Sequence, residues 1–476
     1  MLSKKRNDKT KQLEIVCIED LVPQDHILRD IDKAIDFSFI YDLVKDLYCA
    51  DNGRPSIDPV VLFKIILIQY IFGIRSMRQT MKEIAVNMAY RWFLGYGMTE
   101  PIPHFTTFGK NYLRRFSATD IFEQIFVRIL SEAVAAGFVD AREVFIDATH
   151  IKANANNHKY TNEIVKIEAK HYHDELQKEI EQDREDHGKK PPKSPKQPDN
   201  GDEPPAKTVK KSTTDPECGL FHKGEHKKEF AYTTHVACDK HGFVLGTDVS
   251  AGNVHDSVMF DELYRNVHKN FSEIEMIALD SGYRTPWIMK QIFDSGVLPS
   301  IPYKCPMTKK GFFRKYEYVY DEYYDCYICP NDQVLKYGTT NRDGYREYKS
   351  DPKICAGCHM REQCTESKNC QKVVTRHVWE NYMERAEDIR HTPAGNEVYR
   401  RRKETIERVF ADAKVKHGLR YTQYRGLEKV RIQALLIFMC MNLKKLAKWK
   451  RNNTIPSLFL WIFRSFFRNL HFVRVN

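Results

Sequence analysis

The chain has 476 residues, 42% hydrophobic and 29% charged, which suits two or three folded domains with a sizeable core. Its net charge of +11 is unevenly placed: from Arg400 onward there are 19 basic and four acidic side chains, which read as a phosphate-facing surface or as a solvated helical face, while everything before is slightly acidic. The charged start, MLSKKRNDKTKQLEIV, precedes no apolar run, and no stretch supplies the roughly 20 apolar residues of a membrane span, so a cytoplasmic protein is expected, with no secretory signal and no membrane segment.

Residues 1–118 read as a helical domain. Ser56 caps a helix through Ile74, with Pro59 tolerated in its first turn. Ser76 caps a second, MRQTMKEIAVNMAYRWFLG, which stops at Gly95 or Gly97. Thr106 or Thr107 starts a third, FGKNYLRRF. The pattern fits a helix-turn-helix-like DNA-binding unit and a plain helical bundle equally well. After another helix, ATDIFEQIFVRILSEAVAAG, the run REVFIDA (142–148) reads as a buried strand that ends on Asp147.

Residues 160–185 read as helical, and the Pro- and Lys-rich stretch 187–211 as a disordered or looped insertion. Strands follow at 229–238 and 242–249. His255 and Asp256 then open a helix, with capping as the first reading and a site role near Asp147 as the other. IEMIAL (274–279) is a further buried strand, delivering Asp280. Residues 285–294 read as helix and 298–302 as strand. The stretch 305–375 is Cys- and Tyr-rich and irregular. One long helix begins near Asn396 and passes through Glu407, and another spans about 427–448. This order gives an α/β fold with a mixed sheet.

Acids at strand ends point to metal chemistry. Phosphodiester cleavage at neutral pH needs a strong nucleophile and neutralised phosphate charge, and two Mg²⁺ ions on hard carboxylate ligands supply both. Seven of the twelve cysteines lie between Cys305 and Cys370. Cys326-x-x-Cys329 and Cys355-x-x-Cys358 have the spacing of two zinc knuckles, with Cys364 and Cys370 as alternative ligands, and reduced, partly buried thiols are the other reading.

The segments around the acids carry a resemblance. FIDATHIKANAN, STTDPE with the later GNVHDS, ALDSGY and IERVFADAKVKHGLR occur in the order found in DDE-type transposases of bacterial insertion sequences. The chain resembles that family from about Ile15 to about Leu446. The resemblance implies a ribonuclease H-like core with the metal-binding catalytic triad Asp147, Asp280 and Glu407. It also implies Mg²⁺ or Mn²⁺ as cofactor, and double-stranded DNA, both element ends and target, as partner. A homodimer in the active complex and a nucleoid-associated location follow.

The implied layout is a helical DNA-binding domain at 1–118 and a catalytic domain at 119–304 and 396–450. A Cys-rich insertion at 305–395 and a basic aromatic tail at 451–476 complete it. The family sets a Tyr and an Arg at fixed distances before the Glu, and those positions fall here on Arg400 and Lys403, while the following Lys falls on Lys414. Read as one continuous helix at about 100° per residue, the segment puts Arg400, Lys403, Glu407 and Lys414 on one face, beside an apolar stripe of Ile406, Val409, Phe410 and Ala413. Lys152 and Arg284 follow the two Asp strands and complete the expected DNA contacts. A nuclease without strand transfer, or an inactive transposase-derived DNA-binding protein, shares these features.

Overall fold

The computed structural model describes residues 13–49, 56–166, 172–191, 206–223, 227–305 and 307–452. The aromatic-basic tail beyond Asn452 and residues 192–205 of the Pro/Lys-rich insertion lie outside the described residues.

The N-terminal part folds as α1 (Ile18–Leu21), α2 (Ile27–Ala34), α3 (Phe39–Val44), α4 (Pro59–Ile71), α5 (Met77–Val86), α6 (Met88–Leu94), α7 (Thr106–Asn111) and α8 (Ile121–Ala135). Asp58, not Ser56, caps α4, its carboxylate accepting the Val60 N–H at 2.7 Å. The second expected helix is two helices. The Asn87 side chain accepts the Ala89 and Tyr90 N–H groups, ending α5 and starting α6. Ser76 and Gly95 cap as expected.

β1 (Glu143–Lys152) is the centre of the main sheet. β2 (Tyr160–Lys166) and β3 (Ala206–Ser212) pair antiparallel as a two-stranded sheet, with α9 (His173–Asp186) between them in the chain. The helix expected from 160 therefore starts only at 173, and the expected insertion gives up its last residues to a strand. The reason is local: TNEIVK and AKTVKK carry β-branched residues that favour extended backbone.

β4 (Gly219–Lys223), β5 (Lys227–Asp239) and β6 (Val244–Ala251) follow. After α10 (Asp256–Asn270), β7 (Met276–Ala278), α11 (Pro286–Asp294) and β8 (Leu298–Ser300) complete the sheet. β5 runs antiparallel to β1 on one edge, while β4 and β6 take successive halves of its other edge. β7 and β8 run parallel to β1 on the far side, so the sheet is mixed.

The stretch 305–375 is not irregular. β9 (Val319–Asp321), β10 (Cys326–Ile328), β11 (Val334–Thr340), β12 (Tyr345–Lys349) and β13 (Val373–His377) form a second, antiparallel sheet, with α12 (Pro352–Ala356) and α13 (Arg361–Cys364) between the last two strands. Strands this short carry too few residues for an alternation to be recognised. Its small core is Tyr318, Tyr327, Leu335, Tyr348 and Val374. The Asp325 carboxylate ties it together, accepting from Tyr320 at 2.7 Å, Tyr348 at 2.6 Å and His187 at 2.7 Å.

α14 (Glu380–His391), α15 (Pro393–Arg401), α16 (Ile406–Lys416) and α17 (Leu427–Asn452) close the fold. α17 packs against α2, α4, α8 and β6, so one continuous core joins the N-terminal helices to the main sheet. Among the described residues no helix is long and apolar enough to cross a membrane.

Candidate active site

β1 and β7 position the two aspartates. They pair parallel with Phe145 opposite Ala278, and the same offset carried two residues further sets Asp147 abreast of Asp280. Phe145 and Ile146, and Ile277 to Leu279, are buried on the approach to each acid, which fixes both strands rigidly. The Asp147 carboxylate accepts the Ala148 N–H at 2.8 Å.

One cationic group stands between the pair. Arg402 Nη2 donates to Asp147 Oδ2 at 2.6 Å, and Nη1 lies 3.7 Å from Asp280 Oδ1. The guanidinium is buried, sits 5.5 Å from the Tyr399 ring centroid, and its Nε has no hydrogen-bond partner among the described residues. A third acid joins this edge. Asp256, in the first turn of α10 behind its His255 cap, interacts electrostatically with Asp280 and Asp147. Burial pushes Asp147 up to about 6; Arg402 and the Ala148 N–H oppose the rise, and Asp280 and Asp256 add to it. Burial, with help from Asp280, also raises Asp256.

Glu407 arrives differently from the expectation. The helix expected from Asn396 through Glu407 breaks after Arg401, and α16 starts at Ile406. Across the break the Arg402 carbonyl accepts the Glu407 N–H at 3.2 Å, one residue more than an α-helical turn spans. The expected common face of Arg400, Lys403, Glu407 and Lys414 therefore does not exist. With the extra residue it is Arg402, not Lys403, that reaches Asp147, and Tyr399, not Arg400, that lies beside it. Tyr399 and Arg402 keep the family's three-residue spacing, and that was the signal for both. For Asp256 the signal was the segment GNVHDS, in which it follows the helix cap His255.

α16 runs alongside β1: Arg402 just before it meets Asp147, and Lys414 near its end donates to Thr149. Glu407 lies at the Asp147 end of this helix, exposed, with no side-chain partner among the described residues. The structure thus draws Asp147 and Asp280 together and brings Glu407 to the same end, without closing the three into one shell. Among the described residues no group of three or more His, Cys, Asp or Glu side chains stands assembled around a metal position. The donors nevertheless fit Mg²⁺. They are hard carboxylate oxygens, two of them already share one cationic group, and the burial that raises Asp147 is the kind a bound cation offsets.

The expected basic contacts divide. Lys403 is exposed in the turn before α16. Lys152 lies 3.6 Å from Glu229 and over the Tyr421 ring. Arg284 is committed within the protein, to Glu387 at 3.1 Å and the Pro302 carbonyl at 3.2 Å, so it is a tie between elements rather than a surface contact. An open cleft of about 620 Å³ reaches this edge, lined by His150, Phe221, His222, Lys228 and Asp256.

In the second sheet, Cys329, Cys355, Cys358 and Cys364 line one cavity of about 20 Å³. Cys326 does not belong to that set. It is buried on β10 between Asp321 and Lys336, and the alternative Cys364 takes its place.

A mixed sheet flanked by helices, with a helical region before it, defines an α/β protein with a ribonuclease H-like core. Residues 16–114 match the family described as Transposase domain (DUF772), and residues 328–447 match the family described as Transposase DDE domain. The second match takes in the cysteines from Cys329 onward, Arg402 and Glu407, and begins after Asp147 and Asp280. No curated protein matches the chain significantly. Both matched families are transposase domains, which supports a DDE-type transposase of an insertion sequence.

Proposed function

We propose that the chain binds the terminal inverted repeats of its element through the N-terminal helices, cuts DNA at the element ends, and joins each freed 3′-hydroxyl to target DNA by direct transesterification. The observation that carries this reading is the pairing of Asp147 and Asp280 on adjacent parallel strands around one cationic group, with Glu407 at the near end of the following helix.

Asp147, Asp280 and Glu407 would hold two Mg²⁺ or Mn²⁺ ions. Bound there, such ions activate the attacking oxygen and neutralise charge on the leaving one. The protein's own residues orient and exclude. The Ala148 N–H fixes the rotamer of Asp147, the rigid strand pair fixes the spacing of the aspartates, and buried Tyr283 and Leu279 keep water from beneath them. Lys414, Lys403 and Lys152 lie along α16 and β1, where a phosphate backbone crossing the acidic edge meets them. Joining two ends in one complex requires at least a dimer.

The test uses purified protein, Mg²⁺ and DNA carrying the flanking inverted repeats. Wild type should give both nicked and joined products. Asp147→Ala, Asp280→Ala and Glu407→Ala should each abolish both while end binding persists. Cleavage surviving all three changes would overturn the mechanism, and cleavage without joined products would leave a nuclease.

A further inference from the structure

We propose that Cys329, Cys355, Cys358 and Cys364 together bind one structural zinc ion, which fastens the excursion between β12 and β13 to the second sheet. Hydrogen bonds such as Phe313 N–H to the Gln363 carbonyl tie the excursion to the sheet, but it has little apolar burial to hold it. From Asp351 to Lys372 no residue is buried. Its two helices have five and four residues and bury none of them. Helices that short do not persist in water unaided, and the sheet beneath offers a core of only five buried residues. A unit so poor in apolar burial needs a staple.

The thiols sit where a staple would act. Cys355 and Cys358 flank the end of α12, Cys364 ends α13, and Cys329 belongs to the sheet's own β10–β11 turn. All four line the same cavity, whose volume of about 20 Å³ suits a single small occupant. Donors already face the sulfurs, as charged thiolates require. The Gln333 N–H points at Cys329 Sγ at 3.4 Å, and Asn331 Nδ2 reaches from the first turn to Cys358 Sγ at 3.7 Å. Tyr318 Oη lies 3.1 Å from Cys364 Sγ. Asp332, at φ +54°, makes the tight turn that folds these groups back over Cys329.

The thiols line one cavity but do not stand assembled around one point among the described residues, so zinc binding requires them to draw together. Four thiolates leave no open position, which makes the ion a fastener and not a catalyst. Cys370 lines no part of the cavity.

The experiment measures zinc in purified full-length protein by mass spectrometry. We expect about one zinc per chain in wild type, as a closed four-thiolate site holds one ion. Cys355→Ser and Cys364→Ser should fall to near none, while Cys326→Ser and Cys370→Ser stay at the wild-type level. Co²⁺ in place of zinc should give the intense visible bands of a tetrahedral thiolate site in wild type and Cys326→Ser, but not in Cys364→Ser. If the ligand variants do not fold, alkylation of the native protein decides. Chelator should expose Cys355 and Cys364 to reagent and leave Cys370 unchanged. Wild type that takes up no zinc, or Cys326→Ser losing it as Cys364→Ser does, would overturn the proposal. Asp147→Ala should keep its zinc, so failure here leaves the transposase reading standing.

Discussion

Arg402 holds two carboxylates that would otherwise face each other, and its guanidinium is 8% exposed. Truncating one partner of such a buried pair leaves an uncompensated charge and costs about 3 kcal/mol or more. If the same space takes a cation from solution, the loss depends on what is dissolved. Arg402→Ala should be about 3 kcal/mol less stable than wild type in chelator, and Mg²⁺ should restore much of that difference. Urea unfolding under both conditions measures it; an equal loss in each would separate Arg402 from the metal position. Arg402 was not legible in the sequence, whereas Asp256 was, as one of the two readings of the helix start at His255–Asp256. Arg402 was hidden by one extra residue in a turn. Asp147 and Asp280 were legible because each follows a run of apolar residues that reads as a buried strand, although β1 runs on to Lys152 and leaves Asp147 in mid-strand rather than at the expected end.

Among the elements, α17 grips β6 through a buried polar clamp. Asn442, 1% exposed, accepts the Val244 N–H at 2.8 Å and donates to the Val244 carbonyl at 2.8 Å. Asn442 thereby satisfies both backbone groups of a residue at the start of β6, where the strand lies under the helix. Asn442→Leu keeps the volume and leaves both groups unpaired in the core, each worth about 1–3 kcal/mol. We expect a loss of about 3 kcal/mol in urea unfolding; a loss below about 1 kcal/mol would mean that water replaces the clamp. The elements of the main sheet were legible because their runs are long and apolar. The break between α15 and α16 was not. Lys403, Glu404 and Thr405 include no Gly or Pro, and only the tertiary contact of Arg402 with Asp147 requires the interruption. The second sheet was illegible for another reason: its strands are held by tyrosines around Asp325, a contact that periodicity does not carry.

At the scale of the whole molecule, the end of α4 is docked onto the connection between α16 and α17. Gly73, at φ +64°, sits so close that a Cβ there would meet the Lys416 carbonyl oxygen at 2.5 Å. His417, 4% exposed, donates from Nδ1 to the Tyr70 carbonyl at 2.7 Å, and Lys444 reaches the Ile71 carbonyl at 3.3 Å. This seam couples the helices expected to grip DNA to the helix that carries Glu407. Burial drives His417 down to about 4; the Tyr70 carbonyl and Asp412 favour its charged form, and Lys444 and Lys416 disfavour it.

The folded state therefore keeps His417 neutral, while the unfolded chain protonates it near its ordinary value. Between those two values the unfolded state binds more protons, so this contribution is complete above about pH 6.5 and drains away as pH falls toward 4. The full span is worth about 3 kcal/mol. Asp239, which burial raises to about 7, changes stability in the opposite direction over much of the same range, so the net pH profile of wild type does not isolate the histidine. A difference between two proteins does. His417→Gln keeps a donor for Tyr70 and cannot titrate. Its stability relative to wild type should rise by about 3 kcal/mol between pH 7.5 and pH 4 in matched urea titrations, and a constant difference would show that His417 binds its proton equally well folded and unfolded, which would overturn this reading.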